Sequence, residues 1–392
     1  MSKPWPLVKL GEVLRHRKEF IIIDDLTIYK RPRVKLHAQG IVLRDEVEGA
    51  AIKTKKQQVC SEGEFLVAEI DAKVGGFGMV PESLDGSIVS SHYFLFVVDE
   101  SKLLRSFLDF YVRTRIFRDQ VEAQGSTNYA AIRPSHVLGY EIPLPPLSEQ
   151  RRIVARIEEL AAQIRGAQRL RKEAEAEAEM FFYASLRRAR TQLIESAHPK
   201  SSLSDLTRVT SGGTPSRDNA TFWNGNIPWL KTGELLDGDI SKAEEYITQL
   251  AMEGSSAKLF PSDTVLIALY GQGQTRGRTG RLMMPAATNQ ACCAVLPMPG
   301  MFEPRFIQYW LRSLYFELRE DAQGGAQPNW NGAMIKALEI ALPPLPEQRR
   351  IVAELDALQA EVDALKRLQA ETAAELDALL PAILDRAFKG EL

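Results

Sequence analysis

The stretch Leu144-Pro-Pro-Leu-Ser-Glu-Gln-Arg-Arg-Ile-Val-Ala155 returns as Leu342-Pro-Pro-Leu-Pro-Glu-Gln-Arg-Arg-Ile-Val-Ala353, 198 residues later (342 against 144). A period of this length holds a whole domain and a helix, and it is too long for a solenoid repeat. The residues between, such as Gly40–Gly86 and Gly238–Met284, share little. The chain is therefore predicted to be a tandem duplication with a common frame and two dissimilar domains.

The repeat sets the predicted domain boundaries. We expect a first globular domain over residues 1–143, an elbow and long helix over 144–195, a second globular domain over 196–341, and a final elbow and helix over 342–392. The Pro-Pro pairs predict rigid elbows, because proline fixes its own φ and disfavours helix in the residue before it.

Apolar residues follow each Pro-Pro pair at the four-and-three spacing of a coiled-coil seam. The predicted seam residues are Ile153, Ile157, Leu160, Ile164 and Ala167 in the first copy, and Ile351, Leu355, Leu358, Val362 and Leu365 in the second. Strong helix formers continue to about Arg190 and Phe388. A two-fold relation between the copies predicts an antiparallel coiled coil with one globular domain at each end.

Composition provides ample material for two globular cores, since 45% of the 392 residues are hydrophobic and 26% are charged. Three cysteines and five histidines lack the spacing of a zinc site, so we expect no metal. The sequence shows no spanning apolar stretch and no signal-peptide pattern at its start, from which we expect a cytoplasmic protein.

Catalytic motifs are scarce. No phosphate loop occurs, and Gly271-Gln-Gly-Gln-Thr-Arg-Gly277 fails the dinucleotide fingerprint because arginine replaces its third glycine. Glu69-Ile-Asp-Ala-Lys73 imitates part of a nuclease site, without the usual Pro-Asp upstream. We expect no catalytic residue in this chain, and a nuclease using Asp71 and Lys73 is kept as an alternative.

Two basic segments stand out against a net charge of -2. One stretch free of Asp and Glu contains Lys30, Arg31, Arg33, Lys35 and Arg44, and another, between Asp263 and Glu303, contains Arg276, Arg278 and Arg281. Such segments suit nucleic acid, although a merely solvated charged face is the plain alternative.

The duplicated elbow, the seam helices and the dissimilar domains together resemble the specificity subunit of type I restriction-modification systems. Three fragments of the second half fit that family: Ser211-Gly-Gly-Thr-Pro215, Trp223-Asn-Gly-Asn-Ile-Pro-Trp-Leu-Lys231 and Thr288-Asn-Gln-Ala291. The first half matches it only at its opening, Lys9-Leu-Gly-Glu-Val13. The resemblance covers the whole chain, and it implies an α+β protein in which each recognition domain is a mixed α/β unit.

The resemblance implies a non-catalytic DNA-recognition subunit that reads a bipartite asymmetric target. It implies two methyltransferase subunits docked on helices and elbows, which hold S-adenosylmethionine and methylate adenine at N6. A translocating nuclease subunit with ATP and Mg joins for restriction. This chain itself is expected to bind no cofactor. A two-domain protein-binding scaffold is the remaining alternative.

Candidate DNA-binding residues are polar or basic groups in the divergent parts. Arginine can bridge the acceptors of guanine, glutamine can pair with adenine, and glycine lets backbone approach phosphate. The candidates are Lys30, Arg31, Arg33, Lys35, Ser126, Thr127, Asn128, Ser211, Gly213, Thr214, Lys231, Gln272, Gln274, Thr275, Arg276, Arg278, Asn289 and Gln290. For Trp223 and Trp229 we predict core packing.

Overall fold

The computed structural model describes residues 5–122, 131–271, 274–320 and 330–392. They form two compact units: Met1–Arg171 with Ala370–Leu392 is unit 1, and Lys172–Gln369 is unit 2. Both limits fall inside long helices. Each unit therefore contains one divergent half of the chain and a segment of each long helix.

The first half of the chain is built mainly from short strands. They are β1 (Leu7–Lys9), β2 (Leu14–Arg17), β3 (Ile21–Ile22), β4 (Ile28–Val34), β5 (Ile41–Glu48), β6 (Lys56–Val59), β7 (Phe65–Ala68), β8 (Phe77–Met79), β9 (Ile88–Val89), β10 (Tyr93–Val98) and β11 (Glu141–Pro143). The helices are α1 (Arg105–Val112), α2 (Arg115–Glu122) and α3 (Pro134–Gly139), followed by the long α4 (Leu147–Glu195).

The second half has the same kind of elements. Its strands are β12 (Lys200–Ser202), β13 (Val209–Ser211), β14 (Trp223–Leu230), β15 (Asp239–Ile240), β16 (Glu245–Ile247), β17 (Leu259–Phe260), β18 (Val265–Ala268), β19 (Thr279–Leu282), β20 (Ala286–Thr288), β21 (Cys292–Val295) and β22 (Glu339–Ala341). Its helices are α5 (Leu203–Leu206), α6 (Gln249–Glu253), α7 (Pro304–Ser313), α8 (Tyr315–Glu320), α9 (Gly332–Lys336) and the long α10 (Leu345–Phe388).

One antiparallel sheet occurs in both halves. Unit 1 orders it β2-β10-β7-β8, and unit 2 orders it β13-β21-β18-β19 with β15 added at the edge. Strands β7 and β18 hold equivalent places, and each is buried along its whole length. Alternate residues of each strand pack into different cores, as the two-residue period of a strand requires. The divergent sequences thus share a topology.

The two long helices pair in antiparallel fashion within each unit, as the sequence predicts. In unit 1, Arg152 donates to the carbonyl oxygen of Leu392 at 2.8 Å, and Gln168 donates to Asp377 at 2.9 Å. Residue numbers rise along α4 as they fall along α10. Helix α4 ends at Glu195, a few residues beyond the predicted limit.

The predicted seam residues are buried to different degrees. Ile153 and Ile157 are fully buried in the core of unit 1, together with Leu384 and Phe388 of α10. The other seam residues divide into a buried group, Ile351, Leu355 and Val362 in the core of unit 2, and a half-buried group, Leu160, Ile164, Leu358 and Leu365.

No helix of the described residues is long and apolar enough to cross a membrane.

The repeated glutamine of the elbow holds helix α4 to its own domain. Gln150 is 0% exposed. Its side-chain oxygen accepts the N–H of Leu104 at 2.8 Å, and its amide nitrogen donates to the carbonyls of Lys102 at 2.8 Å and Pro145 at 2.9 Å. This amide therefore joins the start of α4, the elbow and the turn before α1.

Gln348 of the second elbow makes the same three bonds. It accepts the N–H of Glu303 at 2.9 Å and donates to the carbonyls of Met301 at 3.3 Å and Pro343 at 2.8 Å. Gln348 is also 0% exposed. The glutamine recurs in the sequence because both units need the same internal brace.

Candidate nucleic-acid interface

The antiparallel sheet of unit 2 brings most second-half candidates together at one end. The carboxyl ends of β13 and β18 and the amino ends of β21 and β19 meet there, as their registers show. The loop end of unit 2 consists of Ser211–Thr214, Leu269–Gly271, Gln274–Arg278 and Asn289–Gln290. Lys231 adjoins it, because Leu230 accepts the N–H of Asn289 at 3.0 Å.

Two adjacent glycines of this end, Gly212 and Gly213, are required for close backbone packing. A Cβ on Gly212 would lie 2.1 Å from the carbonyl oxygen of Thr288, and one on Gly213 would lie 2.4 Å from that of Ser256. Gly213 is buried, and its carbonyl accepts the indole N–H of Trp229 at 3.0 Å. Gly213 therefore shapes the loop from inside, and its role in DNA binding stays a prediction.

Thr214 and Gln290 form an exposed pair at this end. The Thr214 hydroxyl donates to the side-chain oxygen of Gln290, which leaves the amide N–H groups of Gln290 available as donors. The side-chain oxygen of Asn289 instead accepts the N–H groups of Ala291 and Cys292, at 3.1 and 3.2 Å. Asn289 thus builds the turn that presents Gln290, and Ser211 lies half-buried beside it.

Lys231 is already paired with carboxylates. Its ammonium lies 2.8 Å from Glu245 and 3.3 Å from Glu244. These carboxylates, Glu245 first, raise the pKa of Lys231. Hydrogen bonds from Arg217, the larger effect, and from Lys231 lower the pKa of Glu245. Lys231 is thus a neutralised cation, which weakens its candidacy for phosphate binding.

The tryptophans pack as predicted. Trp229 is 2% exposed and meets Trp223 edge to face, with their ring centroids 5.2 Å apart. The Arg217 guanidinium covers the Trp223 ring at 3.7 Å from its centroid. Sequence reasoning did not single out Arg217, because an isolated arginine carries no pattern.

Arg278 does not have a free guanidinium. It donates to Asp237 at 2.6 Å and lies over the ring of Tyr315. Burial, the largest single effect, lowers the pKa of Arg278, but the charge and hydrogen bond of Asp237 together with Tyr183 and Tyr315 outweigh it, and the net shift is upward. Asp237 is buried and also accepts the N–H of Thr279 at 2.8 Å. The charge of Arg278 neutralises an interior carboxylate, which weakens its candidacy as a base reader.

Arg276 is the unpaired arginine of the same loop. Within the described part of the chain it forms no ion pair, and its buried Nε has no hydrogen-bond partner. Gln274 is exposed next to it, Thr275 is half-buried, and the backbone oxygen of Gln274 accepts the hydroxyl of Tyr315 at 3.1 Å. The structure thus leaves Arg276 as the arginine best placed for an external anion.

In unit 1 the basic candidates lie on a two-stranded ribbon of β4 and β5, as expected for an extended segment. The register shifts by one residue between Arg31 and Pro32. Arg31 turns toward Asp45 and donates two bonds of 2.7 Å to it. Arg33 is exposed and faces Val42 across the ribbon, where no carboxylate of the described residues is available to pair with it.

The remaining ribbon cations differ in their surroundings. Lys30 is exposed, donates to the carbonyl of Ser83 at 3.2 Å and faces Glu46 across the ribbon. Arg33 and Lys35 are exposed and have no ion-pair partner among the residues described. The unpaired positive charges of the ribbon, on Arg33 and Lys35, therefore lie near its turn.

That turn packs against the equivalent end of the unit 1 sheet. His37 donates its backbone N–H to Val74 at 2.7 Å, and Ala38 donates to Gly75 at 2.9 Å. The loop end of unit 1 is Glu69–Gly76 with this turn, residues 35–40. Sequence reasoning examined Glu69–Lys73 only as a nuclease motif and missed its topological equivalence to the glycine-rich loop of unit 2.

Four candidates, Ser126, Thr127, Asn128 and Gln272, lie outside the described residues. Among the residues described, no group of three or more His, Cys, Asp or Glu side chains is placed to hold a metal ion. Glu69 is paired with His92 at 2.7 Å. The structure thus adds no second acid to the nuclease alternative at Asp71.

Two copies of one fold, each with its own polar loop end, define a class of two-domain binding proteins. A family described as the type I restriction modification DNA specificity domain matches this chain twice, over residues 2–176 and 198–373. The chain belongs to this family.

Known relatives agree with that assignment. The MjaIX specificity subunit of Methanocaldococcus jannaschii, a type I restriction enzyme subunit, is 28% identical over 160 residues, which span 39% of this chain and only 36% of the relative. A solved structure concerned with complex assembly and conformational transition of the type I R-M system is 28% identical, with a TM-score of 0.71 over 99% of this chain and 98% of that one. The HsdS subunit from Thermoanaerobacter tengcongensis is 27% identical, with a TM-score of 0.57 over 100% and 98%.

Proposed function

We propose that this chain is the DNA sequence-recognition subunit of a type I restriction-modification complex, in which each unit reads one half of a bipartite asymmetric target. The observation that carries the proposal is one sheet topology used twice with chemically different loop ends. The common sheet topology holds the loop ends of both units in equivalent positions, and the different loop residues give each unit its own base preference. The family assignment and the names of the relatives support this function.

The elbows are proposed to dock two copies of a methyltransferase subunit. The two copies of the repeat can be compared with each other. Where a residue is identical in both copies and exposed, packing does not explain why it is the same. Pro146, Arg151 and Arg152 in the first copy correspond to Pro344, Arg349 and Arg350 in the second, and all six are exposed. One surface present twice suits two copies of one partner.

The chemistry is proposed to belong to those partners. The methyltransferase subunits would hold S-adenosylmethionine and methylate an adenine at N6 in each half-site. A translocating nuclease subunit with ATP and Mg would join for restriction. Work on DNA places the complex in the cytoplasm. This chain would supply binding and positioning alone.

Adenine-methylation sequencing tests the proposal. A host free of such methylation would express this chain with its neighbouring methyltransferase, and a control host would express the methyltransferase alone. We expect a split motif only when both are present. No new motif from a demonstrably assembled complex would contradict the proposal and favour the scaffold alternative.

A further inference from the structure

The connection between β7 and β8 in unit 1 occupies the place of the glycine-rich loop in unit 2. Residues 69–76 leave the carboxyl end of a buried central strand and enter the next strand of the same antiparallel sheet, as residues 269–278 do. Both connections therefore lie at the loop ends defined above. If unit 2 uses its loop to meet DNA, the equivalent part of unit 1 is this connection.

The connection is a rigid turn with apolar side chains on the outside. Asp71–Val74 form a 3-10 helix, and the N–H of Gly76 donates to the carbonyl of Asp71 at 2.8 Å. Gly75 closes the turn with φ near 80°, which suits glycine alone. Ile70 is 69% exposed and Val74 is 47% exposed. Ile70 and Val74 thus give this turn an exposed aliphatic surface that is available to an external partner.

The chemistry of this turn fits base edges and does not fit phosphate. Ile70 and Val74 cannot bind an anion, and an exposed carboxylate such as Asp71 repels one. The backbone carbonyl of Asp71 is used within the turn, and its side chain is exposed. Aliphatic groups favour the methyl group of thymine in the major groove, where a carboxylate can also accept from a base amine.

Cations next to the turn would contact the DNA backbone. The ribbon turn bonded to Val74 and Gly75 carries Lys35, and Arg33 precedes it by two residues. Both are exposed and unpaired in the described residues. Unpaired cations beside an apolar turn are complementary to a DNA groove, in which phosphates flank apolar and polar base edges.

We propose that the segment Glu69–Val74 is the base-reading element of unit 1, with Ile70 and Val74 in contact with thymine methyl groups in the major groove. This rests on the proposed function, because it assigns a residue set and a ligand chemistry to one of the two readers. The half-site read by unit 1 therefore contains at least one thymine whose methyl group is recognised.

Methylation sequencing of Ile70→Asn and Val74→Asn variants tests the assignment to one half-site. We expect the sequence requirement to relax or change in one half of the split motif, with the other half unchanged. The matched control is Leu26→Asn, since Leu26 is 91% exposed and precedes the far end of β4. Strand β4 separates it from the ribbon turn by about 20 Å. Motifs identical to that of the original protein in all variants would overturn the proposal.

Deoxyuridine duplexes test the methyl contact without altering the protein. Each thymine of the two half-sites is replaced in turn, and the Kd of the complex of this chain with its methyltransferase is measured. Loss of one contacted methyl should weaken binding about 4-fold at one or more positions of a single half-site. Ile70→Ala should reduce that ratio toward 1, and Leu26→Ala should retain it.

The two proposals fail in different ways. If binding is insensitive to loss of the methyl group at every thymine of both half-sites, the assignment of Ile70 and Val74 is overturned. A split motif would still support the recognition function in that case. Absence of any motif from the original protein would instead contradict the function itself. A variant that fails to fold does not affect the deoxyuridine measurement on the original chain.

Discussion

Replacement of Gln150 by alanine should loosen the elbow of unit 1. The side chain is fully buried and makes three hydrogen bonds that join the start of α4 to the turn before α1. Each is worth about 0.5–1.5 kcal/mol net, so the loss should be about 3 kcal/mol. Gln150→Glu should cost more, because its carboxylate would face the carbonyls of Lys102 and Pro145.

Hydrogen–deuterium exchange locates the effect. A loss of about 3 kcal/mol lowers the protection of amides that exchange through this opening by about 100-fold, with Leu104 among the first affected. Gln348→Ala should have the same effect at Glu303 in unit 2. Gln168→Ala is the matched control, since this exposed glutamine of the same helix makes one bond, to Asp377. Equal losses of amide protection in Gln150→Ala and Gln168→Ala would refute the role of Gln150 as a brace of the elbow.

Three further predictions concern unit 2. Arg276→Ala should weaken DNA binding by the complex, measured as Kd, by about 1–3 kcal/mol without lowering Tm. Arg278→Ala should lower the free energy of unfolding by about 1–3 kcal/mol, because buried Asp237 loses its 2.6 Å ion pair and keeps Arg312 at 3.9 Å, and an unchanged urea midpoint would contradict this. Gly213→Ala should lower the free energy of unfolding by about 1–3 kcal/mol, because the added Cβ collides with backbone. An unchanged urea midpoint would contradict this and show that the loop can shift. A hydrogen bond from Arg217, the larger effect, and one from Lys231 lower the pKa of Glu245 below its ordinary value of 4.5. The stability that Glu245 contributes is therefore complete above pH 4.5 and is lost as the pH falls through the pKa of the folded state. Urea midpoints at pH 7 and pH 3 should therefore differ less in Glu245→Gln than in the original chain, and an equal acid loss would refute this role.

The frame of the molecule was predictable because its signals are local or repeated. The seam spacing predicts long helices from a few neighbouring turns, and the structure confirms α4 and α10 as 49- and 44-residue helices. The repeat predicts two equivalent elbows, and Gln150 and Gln348 make equivalent bonds. The antiparallel pairing followed from the symmetry of the duplication.

The candidate site was predictable only in part. Composition and loop pattern drew attention to both Arg276 and Arg278, and these residues are two positions apart. Only the structure distinguishes them, because Asp237, the partner of Arg278, lies 41 residues away in sequence. In the ribbon of unit 1, the register similarly distinguishes two arginines, because Arg31 faces Asp45 and is paired, whereas Arg33 faces Val42 and is unpaired in the described residues.

The sequence by itself determined the duplication, the two long helices, the elbows and the family resemblance, since each depends on order and spacing along the chain. The tertiary structure alone decided which charges are neutralised and which loops meet. Strand pairing is non-local, so the shared sheet of the two divergent halves leaves no motif in the sequence. The equivalence of Glu69–Gly76 with the glycine-rich loop arises from that pairing, because antiparallel neighbours bring connections distant in sequence to one end of the sheet.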